Sequence, residues 1–338
     1  MAKTILGIDI GHDQLKLALV RGTRVLRTVA AEMPENLMRE NRITSRDSMA
    51  EFLRSVMKQN RLRANNAAFV LPNEAVFIKT VEIPEMSAEQ LEYNLPFEFN
   101  DYITGDRREY VFDYALVSDP EEKTPEEGEE PSLELMAVGA HRSVVEDARE
   151  TLRKAGLRLT VTAPSLCAYI ALIRAQRDFL EGFGEEYGIL DLGHEAIRRY
   201  MFKGDRHVAT RVLEVGMSRL DEVLADAYGV DRHLAHTYLM SNYENCQDRE
   251  ECLTAYENIA VELMRAMNFY RFSNPDSALG DIWACGGGAV IQPLVNTIGE
   301  MLDLQLHPAS ELVPGGDDIE NCNSFVQAVG IALSDQQK

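Results

Sequence analysis

The sequence predicts an α/β fold of duplicated domains, with a smaller α+β subdomain inserted in the first. Three observations lead there. A short stretch occurs twice, as Gly7-Ile8-Asp9-Ile10-Gly11-His12-Asp13 and as Ile189-Leu190-Asp191-Leu192-Gly193-His194-Glu195. With Asp9 set on Asp191, Arg21-Gly22 falls on Lys203-Gly204 and Arg24 on Arg206. A two-copy repeat cannot build a solenoid, so it indicates a duplicated domain with a hairpin in each half and a cleft between them. Stretches of alternating apolar residues, the period of a strand, exchange with stretches whose apolar residues recur three and four apart, the period of a helix. Finally, 338 residues with 45% hydrophobic content suffice for the packed cores of two or more domains.

The elements follow in order. Ile5, Ile8 and Ile10, then Leu15, Leu17 and Leu19, then Val25, Leu26 and Val29 predict a three-stranded meander over residues 4–31. Ser45 or Asp47 caps a helix with Met49, Phe52, Leu53, Val56 and Met57 on one face. Ala67–Leu71 is a buried strand. After Pro72-Asn73-Glu74 a strand runs from Val76 to Pro84, and Ser87 with Gln90 forms a capping box for the next helix. Tyr110–Leu116 and Leu133–Gly139 read as partner strands. Between them, Ser118 to Pro131 is a Glu- and Pro-rich solvated loop. Ser143 opens a helix ending near Gly156, and Leu157–Val161 returns as a strand. Residues 165–181 are helical. Beyond the second hairpin, Val212–Gly216 is expected as a strand, and 217–273 as helices over Ser218–Tyr228, Asp231–Met240 and about 248–272. Gly229 serves as a stop and Asp231 as a cap. The strand Asp281–Cys285, three glycines, a helix over Ala289–Leu302 and a closing helix over about 324–334 complete the chain. The domains are accordingly 1–67 plus 150–185, the insert 68–149, then 186–216 plus 274–338, with a helical subdomain at 217–273.

Composition narrows the function. A net charge of −21 opposes general nucleic-acid binding, which needs a basic face, and opposes adhesion to anionic lipid headgroups. No run approaches about 18 apolar residues, so no transmembrane helix is expected. The N-terminus lacks the features of a signal peptide, so the expectation is a cytoplasmic protein that meets a membrane through a protein partner. The five cysteines contain no CxxC pair and read as reduced and mostly packed inside.

Three elements carry chemistry. Each Asp-x-Gly turn offers backbone N–H groups to phosphate oxygens, here at Gly11, His12, Asp13 and Gln14 and at Gly193, His194 and Glu195. Asp9 and Asp191 are candidate ligands of a magnesium ion. Gly286-Gly287-Gly288, between a strand and a helix, lets a flat ring or a phosphate approach the backbone, as an alternative to being a simple tight turn. It matches neither the P-loop nor the dinucleotide fingerprint. Trp283, alternating within its strand, reads as packing.

Together these elements resemble the actin-like (ribonuclease H-like) ATPase superfamily in order and spacing over nearly the whole chain. Val81-Glu82-Ile83-Pro84-Glu85-Met86-Ser87, Phe112-Asp113-Tyr114 and the closing Ala328-Val329-Gly330-Ile331-Ala332-Leu333 resemble the PilM family of type IV pilus assembly ATPases. The resemblance implies two domains around a nucleotide cleft, with ATP and Mg as cofactors. The implied nucleotide contacts are Gly11, His12, Asp13, Gln14, Lys16, Gly193, His194, Glu195, Gly216, Gly286, Gly287 and Gly288, with Asp9 and Asp191 at the metal. It also implies a PilN-like partner, a bitopic membrane protein whose cytoplasmic peptide binds near 68–149. The pilus motor ATPase and self-association stay open as further contacts.

Departures from the family pattern bear on the chemistry. His12 and Asp13 stand where serines are usual, no Ser or Thr lies near Ala196, and the line Ala235-His236-Thr237-Tyr238-Leu239 lacks the usual Glu and Lys. Asp13 and Glu195 would repel a triphosphate that they faced directly. No general base is evident, so the expectation is a nucleotide-binding assembly scaffold with slow or absent hydrolysis. An FtsA-like cytoskeletal protein, a small-molecule kinase of the superfamily, and a scaffold that has lost ATP binding are the alternatives.

Overall fold

The chain opens on an antiparallel meander of β1 (Thr4–Ile10), β2 (Gln14–Arg21) and β3 (Arg24–Glu32). Gly22 supplies the positive φ (60°) of the tight second turn, a conformation that costs a residue with a Cβ. The computed structural model describes residues 2–34, 36–39, 42–117 and 132–336. These form two compact units, Met1–Met33 with Leu166–Lys338, and Pro34–Ser165. The expected acidic loop over 118–131 lies outside the described residues.

The unit Pro34–Ser165 begins with a two-residue pairing of β4 (Met38–Arg39) and β5 (Arg42–Ile43). Helix α1 (Arg46–Gln59) is capped by Ser45, whose hydroxyl accepts from the Ser48 amide. β6 (Asn66–Leu71) runs parallel to β10 (Arg158–Pro164). β7 (Val76–Pro84), β8 (Tyr110–Leu116) and β9 (Ser132–His141) form a second sheet with β9 in the middle. Helix α2 (Ala88–Asn94) carries the predicted capping box of Ser87 and Gln90. Val81, Leu91, Leu95, Phe99, Leu133 and Leu135 make this subdomain's core. Helix α3 (Arg142–Lys154) starts one residue earlier than expected and is capped by His141, whose Nδ1 accepts from the Ser143 amide.

In the larger unit, α4 (Ser165–Ala175) and α5 (Arg177–Leu180) lead to a second meander, β11 (Glu186–Leu192), β12 (Ile197–Lys203) and β13 (Arg206–Leu213). The strand expected over Val212–Gly216 is the tail of β13, and the backbone leaves the sheet at Glu214. Helices α6 (Ser218–Tyr228), α7 (Arg232–Ser241) and α8 (Glu250–Ser273) follow, with Gly229 left-handed at the α6 C-cap and Asp231 capping α7. β14 (Asp281–Cys285) and a strand missed by the sequence reading, β15 (Gln305–Pro308), complete a sheet of order β13-β12-β11-β14-β15. Helix α9 (Gln292–Leu302) starts three residues later than expected, because Gly287–Val290 forms a 3-10 turn first. Helix α10 (Val326–Ser334) closes the chain. Leu190, Leu220, Leu263, Ile282, Leu294 and Ile298 lie at the centre of the core. Trp283 is fully buried, its indole stacked on His307 and its N–H donated to Glu311, which is the packing role expected.

The duplication extends to irregularities. A bulge lies between Leu19 and Val20 in β2–β3, and another between Met201 and Phe202 in β12–β13. These are equivalent positions in the alignment that sets Asp9 on Asp191. Gly204, equivalent to Gly22, shares its φ of 60°. Bulges re-aim a strand and persist as built features, so this coincidence marks a copied meander.

Helix α10 is pressed between β1 and α4 through two glycines. A Cβ on Gly7 would lie 1.8 Å from the Ala328 carbonyl oxygen, and one on Gly330 would lie 2.3 Å from that of Ala168. Backbone cannot yield as a side-chain tip can, so Gly7→Ala is expected to destabilise the chain by about 3 kcal/mol. Gly184→Ala, with open space around the position, is expected to stay within about 0.5 kcal/mol. Urea unfolding of the two variants checks this, and equal midpoints would refute the packing argument.

Candidate functional site

Each hairpin sets one aspartate opposite one base. Asp9 is register-paired with Lys16 across β1–β2, and Asp191 with Arg198 across β11–β12. Alternation would send these polar side chains to one sheet face, yet Asp191 is only 4% exposed. Gln327 donates to Asp191 Oδ2 at 2.9 Å, the Tyr169 hydroxyl also bonds this carboxylate, and Gln327 donates to that hydroxyl at 3.0 Å. The Tyr169 hydroxyl meets Cys285 Sγ at 3.3 Å. Burial raises the pKa of both aspartates, against the lowering influence of Lys16 on each. Each aspartate is thus a carboxylate whose negative charge a nearby cation would stabilise.

Around the second turn the backbone packs on itself. A Cβ on Gly193 would stand 2.6 Å from the Ala196 carbonyl oxygen, and one on Gly216 would stand 2.1 Å from that of His194. The amides of Met217 and Ser218, at the start of α6, donate to the carbonyls of Gly193 and His194 at 3.1 and 2.9 Å. Gly286, with φ of 89°, would bring a Cβ to 2.7 Å from Asp191 Oδ1 and from the Leu192 carbonyl oxygen. A Cβ on Gly288 would meet Met217 Sδ at 2.6 Å and Leu192 Cβ at 2.8 Å. Gly287 differs, because nothing lies within 4 Å of its would-be Cβ. Two of the three glycines are therefore required by packing, and the middle one faces open space. In the first turn, the Gly11 amide is committed to the Gln14 carbonyl at 2.9 Å, so it closes the turn.

The two turns meet through their histidines and acids. The rings of His12 and His194 stack with centroids 4.5 Å apart. His12 Nδ1 bonds Asp13 Oδ1 at 2.9 Å. His194 presents Nδ1 to Glu195 Oε1 at 2.9 Å and Nε2 to Asp221 Oδ2 at 2.9 Å, with Asp13 Oδ2 at 3.5 Å. His236 Nδ1 bonds both Asp221 oxygens at 3.1 and 3.2 Å. The hydrogen bond to Asp13 raises the pKa of His12. Burial would raise the pKa of Asp13 and of Asp221, but the surrounding histidines outweigh it and hold both below the usual carboxylate range. For His236, burial opposes the charged form and the hydrogen bond to Asp221 overrides it, leaving the pKa raised. The acids expected to face a triphosphate are instead engaged with imidazoles.

The structure thus brings together His12, Asp13, His194 and Glu195, sets Asp9 within electrostatic reach of Lys16 and Asp191, and packs Gly216, Gly286 and Gly288 on the second hairpin. Gln14 contributes its carbonyl to turn closure. Sequence reasoning missed Asp221, Tyr169 and Gln327, and read His236 only as the loss of a charged pair. The available signal was a polar residue on the apolar face of a helix: Asp221 in α6, Tyr169 in α4 and Gln327 in α10.

Comparison with known proteins follows this geometry. The family model for the type IV pilus assembly protein PilM matches residues 7–313. Among solved structures, the chain is similar to one described as a PilM-PilN type IV pilus biogenesis complex. It shares 23% identity with that chain over 99% of both, with a TM-score of 0.83. The ethanolamine utilization protein EutJ from Carboxydothermus hydrogenoformans shares 13% identity, covering 98% of this chain and 89% of its own, with a TM-score of 0.61. MreB 5 of Spiroplasma citri, solved bound to AMPPNP, shares 11% identity over 94% of this chain and 96% of its own, with a TM-score of 0.51. These likenesses fix the fold as the duplicated actin-like one, and the matched family model establishes that the chain belongs to the PilM family of type IV pilus assembly proteins.

Proposed function

We propose that the chain is a nucleotide-binding scaffold of a type IV pilus assembly machine, or of a related secretion or competence system, with slow or absent ATP hydrolysis. The observation that carries the reading is the convergence of both Gly-His-acid turns with a glycine turn whose middle residue is open. ATP would lie along the turns at Gly11–Gln14 and Gly193–Glu195, with its base side toward Gly287. Lys16 supplies positive charge beside it. Magnesium would be held by Asp9 and Asp191, where it would neutralise phosphate charge. The donor set fits such an ion: two carboxylates, Asp191 buried and Asp9 half-buried, each destabilised in its charged form by loss of solvent. Hydrolysis needs an acid free to orient water, whereas Asp13, Glu195 and Asp221 are bonded to histidines. The reading takes 1–67 plus 150–185 and 186–216 plus 274–338 as the two halves, with 217–273 as a helical subdomain.

The partner is proposed to be the cytoplasmic peptide of a PilN-like bitopic membrane protein, seated on the subdomain 68–149. The solved relative described as a PilM-PilN complex supports this, as do the aromatics that this subdomain leaves exposed. Tyr93 is 73% exposed, and Phe97 and Tyr102 are 44% exposed each. The Arg107 guanidinium lies 4.3 Å from the centre of the Phe97 ring. Among the described residues no helix is long and apolar enough to cross a membrane, so attachment to the inner face of the membrane would run through that partner.

Thermal unfolding with and without Mg·ATP tests the nucleotide reading. At about 100 times Kd, stabilisation of about 2.7 kcal/mol is expected. Gly287→Ala is expected to leave the ligand-free Tm unchanged and to weaken ATP at least about tenfold, since only an incoming ligand would meet the new methyl. Asp9→Ala is expected to remove the magnesium dependence. No shift in the wild-type chain would leave the scaffold that has lost ATP binding.

The peptide reading is tested separately. Tyr93→Ala combined with Phe97→Ala is expected to weaken binding of the cytoplasmic peptide of a PilN-type protein by about 10- to 100-fold, measured by fluorescence anisotropy. An unchanged Kd would move the partner away from this surface.

A further inference from the structure

The histidines and acids around the two turns do more than satisfy one another. Asp13 at the first turn, His194 at the second and His236 on α7 present donor atoms that all lie within 4.8 Å of one another. From Asp13 Oδ2 it is 3.5 Å to His194 Nε2 and 3.9 Å to His236 Nε2. Tetrahedral zinc with bonds of about 2.0–2.1 Å requires ligand atoms about 3.3 Å apart, so small side-chain rotations would close the set.

The surroundings are those of a built metal centre. A ligating imidazole characteristically has its other nitrogen held by a carboxylate, which fixes its tautomer and ring plane. Both rings meet that condition here. His236 Nδ1 is held by Asp221, whose side chain is 3% exposed, and His194 Nδ1 is held by Glu195. His194 faces carboxylate oxygens with both nitrogens, and a neutral imidazole carries one N–H, so one of the two contacts calls for a second proton or a cation. A divalent ion supplies that charge while the ring stays neutral. The three carboxylates Asp13, Glu195 and Asp221 offset it. A second grouping, His12 with His194 and Glu195, shares His194 but uses two exposed partners.

We propose that Asp13, His194 and His236 bind one divalent transition-metal cation, zinc by preference, with Asp221 and Glu195 positioning the two rings. Two imidazoles and one carboxylate select such a cation over magnesium, which takes oxygen ligands. The site is distinct from Asp9 and Asp191 and does not depend on nucleotide binding. It joins the turn of β1–β2, the turn of β11–β12 and helix α7, so an ion here would clasp the two copies of the repeat. Three protein ligands leave a fourth position for water or an anion's oxygen.

The test uses the full chain stripped with chelator and titrated with Co²⁺ in the absence of nucleotide. Expected are visible d–d absorption of a tetrahedral site saturating at one ion per chain, displacement by Zn²⁺ but not by millimolar Mg²⁺, and a rise in Tm with Zn²⁺. Asp13→Ala and His236→Asn are expected to weaken Co²⁺ binding more than about 100-fold, and Asp221→Asn about 10- to 100-fold. His233→Ala, exposed on the same helix, is the control and should bind as wild type. Circular dichroism confirms that each variant is folded. Absence of stoichiometric binding overturns the proposal, as does wild-type affinity in Asp13→Ala, the most solvent-accessible ligand position to alter without unfolding the chain. Mg·ATP binding, measured on the same metal-free protein, reports on the nucleotide reading alone.

Discussion

Everything at the candidate site depends on backbone meeting backbone around Leu192. Its carbonyl oxygen lies 2.7 Å from where a Cβ of Gly286 would be, and its Cβ lies 2.8 Å from where one of Gly288 would be. That approach carries the turn after β14 onto the end of β11, beside Asp191. The Gly216 backbone closes on His194 in the same way, and the first two amides of α6 seal the carbonyls of the turn. With these three backbone segments packed on one another, Asp191 and His194 are held in place by their surroundings. A change that looks minor in the sequence, a methyl on one of these glycines, would displace the carboxylate and the imidazole together.

The first hairpin is held by a different device. Gly7 lets α10 lie on β1 with a carbonyl nearly against the strand, and Gln327 projects from that same helix to Asp191. The closing helix therefore couples the first repeat to the acid of the second. This accounts for a polar glutamine in an otherwise apolar helix, where an unpaired amide would be costly to bury. It also places Tyr169 and Cys285 in one connected buried group with Asp191.

What the sequence made legible follows from where period and local chemistry suffice. The first meander, the capping box at Ser87, the Gly229 stop and the Asp231 cap are decided by neighbours within a few residues, and each stands where expected, whereas the third strand of the second meander starts at Arg206 and not at Val212. β15 escaped notice because four residues ending in Pro308 carry no alternation long enough to read. The 3-10 turn at Gly287–Val290 escaped because the glycines were weighed for the approach of a ligand or as a simple tight turn, whereas packing against Leu192 constrains Gly286 and Gly288. At the site, the repeated Asp-x-Gly-His-acid was visible, but the partners of its acids were not. Asp221 and His236 lie 15 positions apart on different helices, and only the fold brings them to one point with Asp13.

The acids that make the two turns alike now have a physical account that does not involve opposing a phosphate. Asp13 and Glu195 face imidazoles, so the local field at the turns is not that of bare carboxylates. Whatever binds there must either leave those pairs intact or replace the positive charge they rely on. A triphosphate with magnesium at Asp9 and Asp191, as proposed, would leave them intact, since it would add its anion beside Lys16 and bring its own cation. A transition metal at Asp13, His194 and His236 replaces the charge and leaves the rings neutral. These requirements are compatible because the two cations would use disjoint ligand sets of opposite softness: oxygen alone at the aspartates, nitrogen and oxygen at the turns. The Gly-His-acid repeat can therefore add electrostatic contacts between its two turns to the packing that already joins them, whichever ligand is present. That suits a scaffold, for which holding one shape matters more than turning over a substrate.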